Sequence, residues 1–479
     1  MAYKSTIIKI SQFACEFTLR SDTVMAFYKA KQEDKERLRF CDLFDIIPNN
    51  EKITLAKEGN FQYVEISNVS NFGEVSPVNL AWEERNDLNE NYFKKIEQGN
   101  ILKASKGDIL IPKVRPNLKK FIFIDETTEQ YYYTTAFIRI RPKKNNKSLY
   151  FGLRTLFIED IIASSRQGKG YPTINESDLS FVTLSKFTVE QLLEKDYELS
   201  DKTNEIVENI TVTNAKINSE SNIINKAIIK SLGINCDKLC IIDKTRTIHS
   251  SLTQLSLNNA SIRNGYRWTK LQLLLAEIKD ELGEYDFLRN YLVNEGTKNG
   301  WSPECNENDG NSMVLGIDSI NRDGTLSFNN PKFTNETRKT IDSFIIKDGD
   351  LFLSRGNTVD LVALASIAES PEDNYIFPDI MIRVDVNAEL IDKKFLAYYI
   401  NSIVGRLYFK YSAKGKQQTM VKVSSTEIEN LIIPKIPIQK QREIVKEIQD
   451  DFATRNSHIK TVSELRTSLD DLYLTIIQK

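Results

Sequence analysis

The sequence predicts an α+β fold in which two duplicated mixed α/β domains are separated by two long helices that pack on each other. One basic, glycine-containing motif begins at Gly168 and again at Gly415, and each copy leads into a helix-cap region and an acid. Three pairs of matched glycines lie 251, 242 and 247 residues apart: Gly73 and Gly324, Gly107 and Gly349, and Gly168 and Gly415. Because chance matches would scatter, this near-constant offset in a fixed order indicates a duplicated domain.

Each copy contains strand-like and helix-like segments. In the first copy, β-branched and aromatic residues predict strands at residues 61–66, 109–111, 121–124 and 131–140. Apolar residues at helical spacing then predict a helix in each copy: Leu149, Leu153, Phe157 and Ile161 in the first, and Phe395, Tyr399, Ile403 and Leu407 in the second. Each copy is therefore expected to end as helix, basic loop, capped turn and strand.

A long amphipathic helix follows each copy. Steps of three and four residues give two apolar seams, interrupted by polar residues: Val207, Ile210, Ile217, Ile224 and Ile228, and, after Pro437, Val445, Ile448, Phe452, Ile459, Val462 and Leu469. An apolar stripe needs cover in water, and packing of the two helices on each other is the simplest solution. The alternative is that each helix folds onto its own domain. The predicted division is 1–187 and 236–436 for the domains, with 188–235 and 437–479 for the helices.

Composition narrows the class of protein. The 479 residues leave room for two or three domains, and no run of transmembrane length or signal-like start is present, so a cytoplasmic location is expected. The five scattered cysteines and two histidines suggest no metal site, although Cys236 and Cys240 are four residues apart. The net charge is −2, yet basic residues cluster in three segments, 103–120, 139–147 and 410–422. Runs of like charge are usually solvated surfaces. Because these runs fall on the repeated unit, a functional role is given the same weight as a solvated surface.

Catalytic motifs are missing. The sequence contains no phosphate-binding loop, no dinucleotide fingerprint and no amino-methyltransferase motif, and two histidines give little support for histidine-based catalysis. One alternative is a metal-dependent nuclease that uses Asp379 and Asp392. Their other interpretation is a strand start and a helix cap. No catalytic residue is predicted.

The order of motifs resembles a known family. From Gly415 a loop rich in glycine, lysine and glutamine leads to the capped turn at 424–428, to the aliphatic and proline-containing stretch at 431–437, and to a glutamine-rich helix start. This order is similar to that of the DNA-specificity subunit of type I restriction–modification systems. The first copy departs from the pattern, with Leu184–Phe187 in place of the proline stretch. The resemblance covers the chain from about residue 37 onward.

The resemblance implies two target-recognition domains, each reading half of a split double-stranded DNA site, and a pair of antiparallel helices that act as a ruler. It also implies that the chain itself is not an enzyme. Two methyltransferase subunits and a restriction–translocase subunit would be its partners, in a system for phage defence. S-adenosylmethionine, ATP and Mg²⁺ would then bind to those partners, and this chain would bind no cofactor and no membrane. A coiled-coil scaffold that never touches DNA is the remaining alternative.

Basic and amide side chains of the repeated loops are the predicted DNA contacts. Lysine and arginine suit phosphates, glutamine suits adenine edges and arginine suits guanine edges, while glycine lets the backbone approach closely. The predicted contacts are Lys113, Arg115, Arg166, Lys169 and Tyr171 in the first domain, and Arg355, Lys414, Lys416, Gln417 and Gln418 in the second.

Overall fold

Two compact units make up the chain. The first contains Met1–Asn214 together with Lys460–Lys479, and the second contains Ala215–Ile459. The structure, a computed structural model, describes residues 37–49, 53, 55–85, 89–144, 147–167, 170–245, 247, 262–307, 309–372, 374–417 and 420–475. Each unit therefore takes one sequence copy and a part of both long helical regions.

The first unit is built on a four-stranded antiparallel sheet of order β2-β8-β5-β6. Its strands are β1 (Arg37–Arg39), β2 (Phe44–Ile47), β3 (Asn60–Val64), β4 (Val78–Ala81), β5 (Ile109–Pro112), β6 (Ile122–Phe123), β7 (Tyr132–Tyr133), β8 (Phe137–Pro142), β9 (Arg166–Gln167), β10 (Pro172–Thr173) and β11 (Thr183–Ser185). Ile109 and Ile111 point into the main core and Leu110 into a second core, as strand alternation requires. All three are fully buried because β5 lies inside the sheet.

Helices pack on the sheets of the first unit. They are α1 (Phe40–Leu43), α2 (Glu90–Glu97), α3 (Lys147–Thr155), α4 (Ile158–Ala163), α5 (Glu176–Leu179), α6 (Lys186–Glu194) and α7 (Asp196–Asn214). The main core joins the sheet to α3, α4 and α6, and it also includes Leu469 and Tyr473 from the far end of the sequence. A smaller three-stranded sheet, β4-β3-β7, packs its aromatic residues against α2.

The second unit contains the remaining elements. They are α8 (Glu220–Leu232), α9 (Cys236–Lys244), α10 (Ile262–Leu282), β12 (Tyr285–Phe287), β13 (Leu292–Asn299), β14 (Ser312–Val314), β15 (Lys332–Thr334), β16 (Leu351–Ser354), β17 (Gly356–Asn357), β18 (Ala365–Ile367), β19 (Tyr375–Ile376), β20 (Met381–Val386), α11 (Lys393–Asn401), α12 (Ile403–Ser412), β21 (Lys414–Gln417), β22 (Met420–Lys422), α13 (Ser425–Glu429), β23 (Ile432–Pro434) and α14 (Ile438–Leu474). The last of these helices also supplies residues to the first unit.

The sheets of the two units match strand by strand. The order β13-β20-β16-β18 repeats β2-β8-β5-β6, and β15-β14-β19 repeats β4-β3-β7 with the same single parallel pair. The pair β12-β23 repeats β1-β11, and both are antiparallel. The two duplicated mixed domains predicted from the glycine offsets are confirmed.

One helix expected in each copy is a pair of helices. In the second copy Ser402 is extended between α11 and α12, and an alanine Cβ at Gly405 would lie 2.3 Å from the carbonyl oxygen of Ile400. Only glycine fits this corner. In the first copy α3 and α4 are separated in the same place, at residues 156–157. The helical spacing predicted which side chains are buried, but it does not show a corner.

The two long helical regions differ in continuity. The helix α14 runs unbroken over Ile438–Leu474, whereas the seam expected from Val207 to Ile228 is interrupted between α7 and α8. The Oγ of Ser219 accepts the N–H of Asn222 at 3.2 Å and so caps α8. The amide of Asn214 donates to Glu74 at 3.2 Å. The expectation of one continuous helix is therefore corrected, because the polar residues of this seam form helix ends.

Within the second unit, α8 and α14 are antiparallel. Ion pairs join Glu220 to Arg455 at 2.9 Å, Lys226 to Asp451 at 3.1 Å and Lys230 to Glu447 at 3.0 Å, so residue numbers rise on one helix as they fall on the other. Within the first unit, the hydroxyls of Thr203 and Tyr473 are 2.9 Å apart.

The seam residues are buried with two exceptions. Those buried or packed on a core are Val207, Ile210, Ile224, Ile228, Val445, Ile448, Phe452, Val462 and Leu469. Ile217 is half-buried in the interruption, and Ile459 is 40% exposed. Arg455 pairs with Glu220, the first residue of α8. Ile459 lies one helical turn beyond Arg455, level with the residues before α8, which are not helical. The helices also pack on the core of their own unit, as the alternative interpretation expects.

Candidate nucleic-acid interface

A short hairpin carries the basic motif of the first unit. Strands β9 and β10 pair in antiparallel register, with Thr173 opposite Arg166. Gly170, in the connection, has a left-handed φ of +91°, and among the described residues no atom beyond its chain neighbours lies within 4 Å of the position that a Cβ would take. An isolated bridge between Val114 and Thr173 attaches the hairpin to the chain that leaves β5. The hairpin therefore projects beside the basic turn that follows residue 112.

Arg115 and Tyr171 form an exposed pair beside this hairpin. The guanidinium carbon of Arg115 lies 5.0 Å from the ring centroid of Tyr171, whose side chain is 38% exposed. The N–H of Arg115 donates to the carbonyl of Pro172 at 2.9 Å. Arg115 has a φ of +52°, a left-handed conformation that is costly for a residue other than glycine. Strained residues of this kind cluster at functional sites, so the pair is a candidate contact of the first unit.

Two predicted cations of the first unit are ion-paired. Arg166 binds Asp178 through two nitrogens, with Nε 3.0 Å from Oδ2 and Nη2 3.2 Å from Oδ1. Lys113 lies 2.8 Å from Glu176. Both acids belong to α5, the capped turn that follows the hairpin. These cations keep their exposed faces, but their charges are partly neutralised inside the unit.

The hairpin of the second unit belongs to a three-stranded sheet. Strand β22 lies between β21 and β17, with Lys422 opposite Gly356. A Cβ at Gly415 would lie 3.0 Å from the carbonyl oxygen of Met420 on the facing strand, so glycine permits the close crossing. The side chain of Met420 is 58% exposed, and Lys422 is exposed as well. This hairpin presents a long apolar side chain and a cation to solvent.

An acid anchors the second hairpin too. Lys414 Nζ lies 2.7 Å from Oε1 of Glu427, and Oε2 of Glu427 accepts the N–H of Ser424 at 2.9 Å and its hydroxyl at 2.5 Å. Burial raises the pKa of Glu427, but the hydrogen bonds from Lys414 and Ser424 outweigh that effect and hold the pKa below its usual value. The carboxylate is thus kept charged where the hairpin begins.

The structure aligns Arg355 with Lys113, two residues before the Arg115 that the sequence comparison suggests. Arg115-Pro116-Asn117 resembles Arg355-Gly356-Asn357 in sequence. In the fold, however, Lys113 is the counterpart of Arg355. The N–H of Lys113 donates to Ala136 and its carbonyl accepts from Ile174, and Arg355 makes the same bonds with Ile380 and Val423. This alignment is set by backbone pairing, which the amino-acid sequence does not show. Arg355 also donates from Nη1 to the carbonyl of Asp379 at 3.2 Å.

The long basic runs do not form one surface. Asp108 is fully buried and accepts from Nε of Arg139 at 2.6 Å and from Nε of Arg141 at 2.7 Å. Lys106 pairs with Glu126 at 2.5 Å. These cations therefore serve contacts within the unit, whereas Lys113 and Arg115 lie beside the hairpin.

Several predicted contacts have no described side-chain position. Lys169 and Gln418 lie outside the described residues. Lys416 and Gln417 are placed on β21 by their backbone alone. All ten predicted contacts stay predictions, although eight of them fall on the described hairpins or on the strand ends next to them.

The proposed nuclease pair has structural roles. Asp392 is the N-cap of α11 and accepts the N–H groups of Lys394 and Phe395 at 2.9 and 3.0 Å. Asp379 accepts the hydroxyl of Ser302 at 2.5 Å. Over the part of the chain that the structure describes, no group of three or more His, Cys, Asp or Glu side chains could hold a metal ion.

Sequence reasoning missed the partners of the basic residues. Asp178 and Glu427 appear in the repeated motif only as acids, and their pairing with the first residue of each hairpin was not predicted. A signal was present, because Asn175 precedes Asp178, and Ser424 precedes Glu427, by the three residues of a capping box. That spacing predicts a fixed acid, but it does not predict which cation the acid binds.

The curated relatives define one class of protein, the specificity subunits of type I restriction enzymes. The EcoKI specificity subunit of Escherichia coli strain K12 is 22% identical over 191 residues, which are 38% of this chain and 39% of that protein. The EcoEI specificity subunit of Escherichia coli is 21% identical over 161 residues, 32% of this chain and 26% of that protein. The chain thus matches about two fifths of the length of the first relative and about a quarter of the second. No known protein-family profile matches.

Solved structures with similar chains come from the same systems. A chain from a study of complex assembly and conformational transition of the type I R-M system has a TM-score of 0.43 at 14% identity, with 92% of this chain and 96% of that chain covered. The HsdS subunit of Thermoanaerobacter tengcongensis has a TM-score of 0.35 at 15% identity, with 92% and 95% covered. The S subunit of M. genitalium has a TM-score of 0.43 at 13% identity, again with 92% and 95% covered.

The chain is similar to type I specificity subunits, and the resemblance that the repeated loops predict is confirmed by the curated relatives. Among the described residues, no helix is both long enough and apolar enough to cross a lipid bilayer.

Proposed function

We propose that the chain recognises a bipartite double-stranded DNA site, with the hairpin of each unit reading one half of it. The observation that carries this proposal is the recurrence of one hairpin in both units. Each hairpin follows the same sheet, begins with a cation held by a buried acid, and leaves exposed side chains beside it. Two similar modules in one chain suit two half-sites. The similarity to named specificity subunits supports the same conclusion.

The side chains at the hairpins divide into two kinds of DNA contact. Lysines such as Lys422 suit phosphates, which supply affinity without sequence information. Gln417 and Gln418 suit adenine edges, and Arg355 suits guanine. Arg115 and Tyr171 offer the DNA a planar guanidinium cation over an aromatic ring. Bases are therefore read mainly by the hairpin tips and by the strand ends next to them.

The chain acts as the specificity subunit of a cytoplasmic restriction–modification complex and performs no catalysis itself. Two methyltransferase subunits bind S-adenosylmethionine, and a restriction–translocase subunit uses ATP and Mg²⁺. The long helices set the distance between half-sites and dock the methyltransferases. The same complex would defend the cell against phage DNA. Helices that carry ion pairs on their exposed sides suit a docking role, because partners can pair with the same charges.

Changing Gln417 and Gln418 together to Ala tests the assignment of one hairpin to one half-site. The variant is combined with its methyltransferase partner, and the modified sites are sequenced. The bases of one half-site should change, with discrimination reduced by about 1–3 kcal/mol for each lost bidentate contact. Gln439→Ala, an exposed glutamine of the same unit outside the hairpin, is the matched control. Altered bases in both halves, or in neither, would contradict the assignment.

Two further outcomes separate the alternatives. DNA cleavage by the chain alone that is lost in Asp379→Ala would favour the nuclease. Absence of any sequence-specific duplex binding, with or without partner subunits, would favour a scaffold.

A further inference from the structure

We infer that Asp178 and Glu427 are positioning residues, each of which sets the orientation of one hairpin for base recognition. The inference rests on the proposed function, and it assigns to these acids a role that their place in a capped turn does not require. Each carboxylate joins two separate pieces of chain: the first residue of the hairpin and the N-terminus of the turn behind it.

In the first unit the joint is bidentate. The side chain of Asp178 is 1% exposed. Its two oxygens accept from Nε and Nη2 of Arg166, and Oδ2 also accepts the N–H of Asn175 at 3.1 Å. A planar guanidinium bound through two nitrogens is fixed in direction as well as in distance. One buried acid thereby holds both the start of β9 and the start of α5.

In the second unit a different pair of side chains makes the same joint. Glu427 is 8% exposed on its side chain and binds Lys414, the first residue of β21, through Oε1. Its other oxygen accepts twice from Ser424, at the start of α13. Because the cation and the acid both differ between the units while the connection is the same, the connection itself is the common feature.

The backbone alone attaches these hairpins weakly. Within the described residues, β9 pairs only with β10, and β21 only with β22. The inner strands are held by short ladders, a single bridge at Thr173 and two pairs at Val421 and Lys422. Two-stranded ladders of this length are marginal in water, so each outer strand depends on its anchor for a fixed direction. The inference therefore makes Arg166 and Lys414 positioning residues rather than phosphate contacts.

The first test measures hydrogen–deuterium exchange in the intact chain. Asp178→Asn should speed exchange in residues 166–174 by about tenfold, and Glu427→Gln should do so in residues 414–423, because each loses a charged hydrogen bond. Asp108→Asn and Asp350→Asn are the matched controls, since these acids bind arginines within the four-stranded sheets instead of at the hairpins. Unchanged exchange at the hairpin of Asp178→Asn overturns the inference.

The second test selects bound sequences from a pool of duplexes of randomised sequence. Asp178→Asn should relax one half of the selected site and Glu427→Gln the other, each by about tenfold in discrimination. The dependence of affinity on salt should not change, whereas loss of a phosphate contact would lower its slope by about one. Arg166→Lys, which keeps the charge but not the two-nitrogen bond, should retain more discrimination than Arg166→Gln, which keeps neither.

Two results in that selection overturn the positioning role. One is an equal loss of discrimination in Asp108→Asn, which would mean that general loosening of the unit is enough. The other is a lower salt slope in Arg166→Gln, which would make Arg166 a phosphate contact. If the unaltered chain selects no sequence while Asp178→Asn still frees its hairpin, the proposed function fails and the anchoring stands.

Discussion

The hairpin of the first unit has two strands and a stacked arginine and tyrosine beside it, whereas that of the second has a third strand and an exposed methionine. Behind both hairpins the sheets have the same order and the same strand directions. The two copies thus agree where the backbone must pair and differ where side chains meet solvent. The shared sheets therefore stabilise both units, and on the proposed function recognition falls to the parts that differ.

The four-stranded sheets of the two units differ in the ion pairs that stabilise them. In the first unit Asp108 is fully buried and binds both Arg139 and Arg141. In the second, the side chain of Asp350 is 16% exposed, lies 3.4 Å from Arg383 and accepts the N–H of Lys347 at 2.9 Å. The same two sequence motifs, a Gly-Asp turn and an Arg-containing strand, meet in each copy. The first unit therefore relies more on its buried charge.

The largest expected effect in this comparison comes from neutralising those acids. Asp108→Asn should cost the first unit about 3 kcal/mol, because it leaves a mostly buried arginine without its counter-charge. Asp350→Asn should cost the second unit about 1 kcal/mol, since this acid is partly exposed, lies 3.4 Å from Arg383, and leaves Arg383 its hydrogen bonds to backbone carbonyls. Native-state hydrogen exchange measures the opening free energy of each unit separately. Equal costs would show that the two four-stranded sheets are equivalent.

A matched pair of turn glycines gives a smaller effect. An alanine Cβ at Gly73 would lie 2.3 Å from the hydroxyl oxygen of Tyr150 and 2.4 Å from the carbonyl of Phe121. At Gly324 the nearest atom is on the ring of Tyr398, at 3.0 Å. Both glycines have a φ above +80°, so both substitutions strain the backbone.

Gly73→Ala should therefore cost about 2 kcal/mol and Gly324→Ala about 1 kcal/mol, because the first also displaces packed atoms. Shifts in the thermal unfolding transition of each unit measure the difference. Gly99→Ala isolates the strain alone, since φ is +82° and no atom of the described residues beyond the chain neighbours lies within 4 Å of the Cβ position. A larger cost at Gly324 than at Gly73 would contradict the packing argument.

The smallest expected effect is a pH dependence of the second hairpin. The folded pKa of Glu427 lies below its usual value, so its contribution is complete above the usual carboxylate range and is lost as the pH falls through the folded pKa. Exchange protection at residues 414–423, corrected for the intrinsic effect of pH, should decline as the pH falls below the usual carboxylate range. Lys414→Gln removes the partner that lowers the pKa of Glu427, and it should move this decline to higher pH. A decline that is the same in both chains would exclude the anchor as its cause.

Periodicity and repetition predicted much of this molecule. The duplication follows from the constant offset of the repeated motifs. The central strands and the long terminal helix follow from the apolar pattern, because apolar spacing reports burial. The corner at Gly405 and the interruption before Ser219 did not follow, since each depends on a local contact that leaves the apolar pattern intact. At the candidate site the sequence located the basic loops, and the structure shows that each forms a hairpin. The sequence did not reveal that Arg166 is bound to Asp178, because the pairing depends on strand register.

The unbroken helix α14 affects the order in which the chain can fold. Leu469 and Tyr473 belong to the core of the first unit, where Tyr473 stacks on Phe151 and bonds to Thr203. During synthesis this core stays open while the whole second unit is made, and its apolar surface needs protection for that time. A chain cut after Ile459 would keep the second unit whole and leave the first without its final core residues.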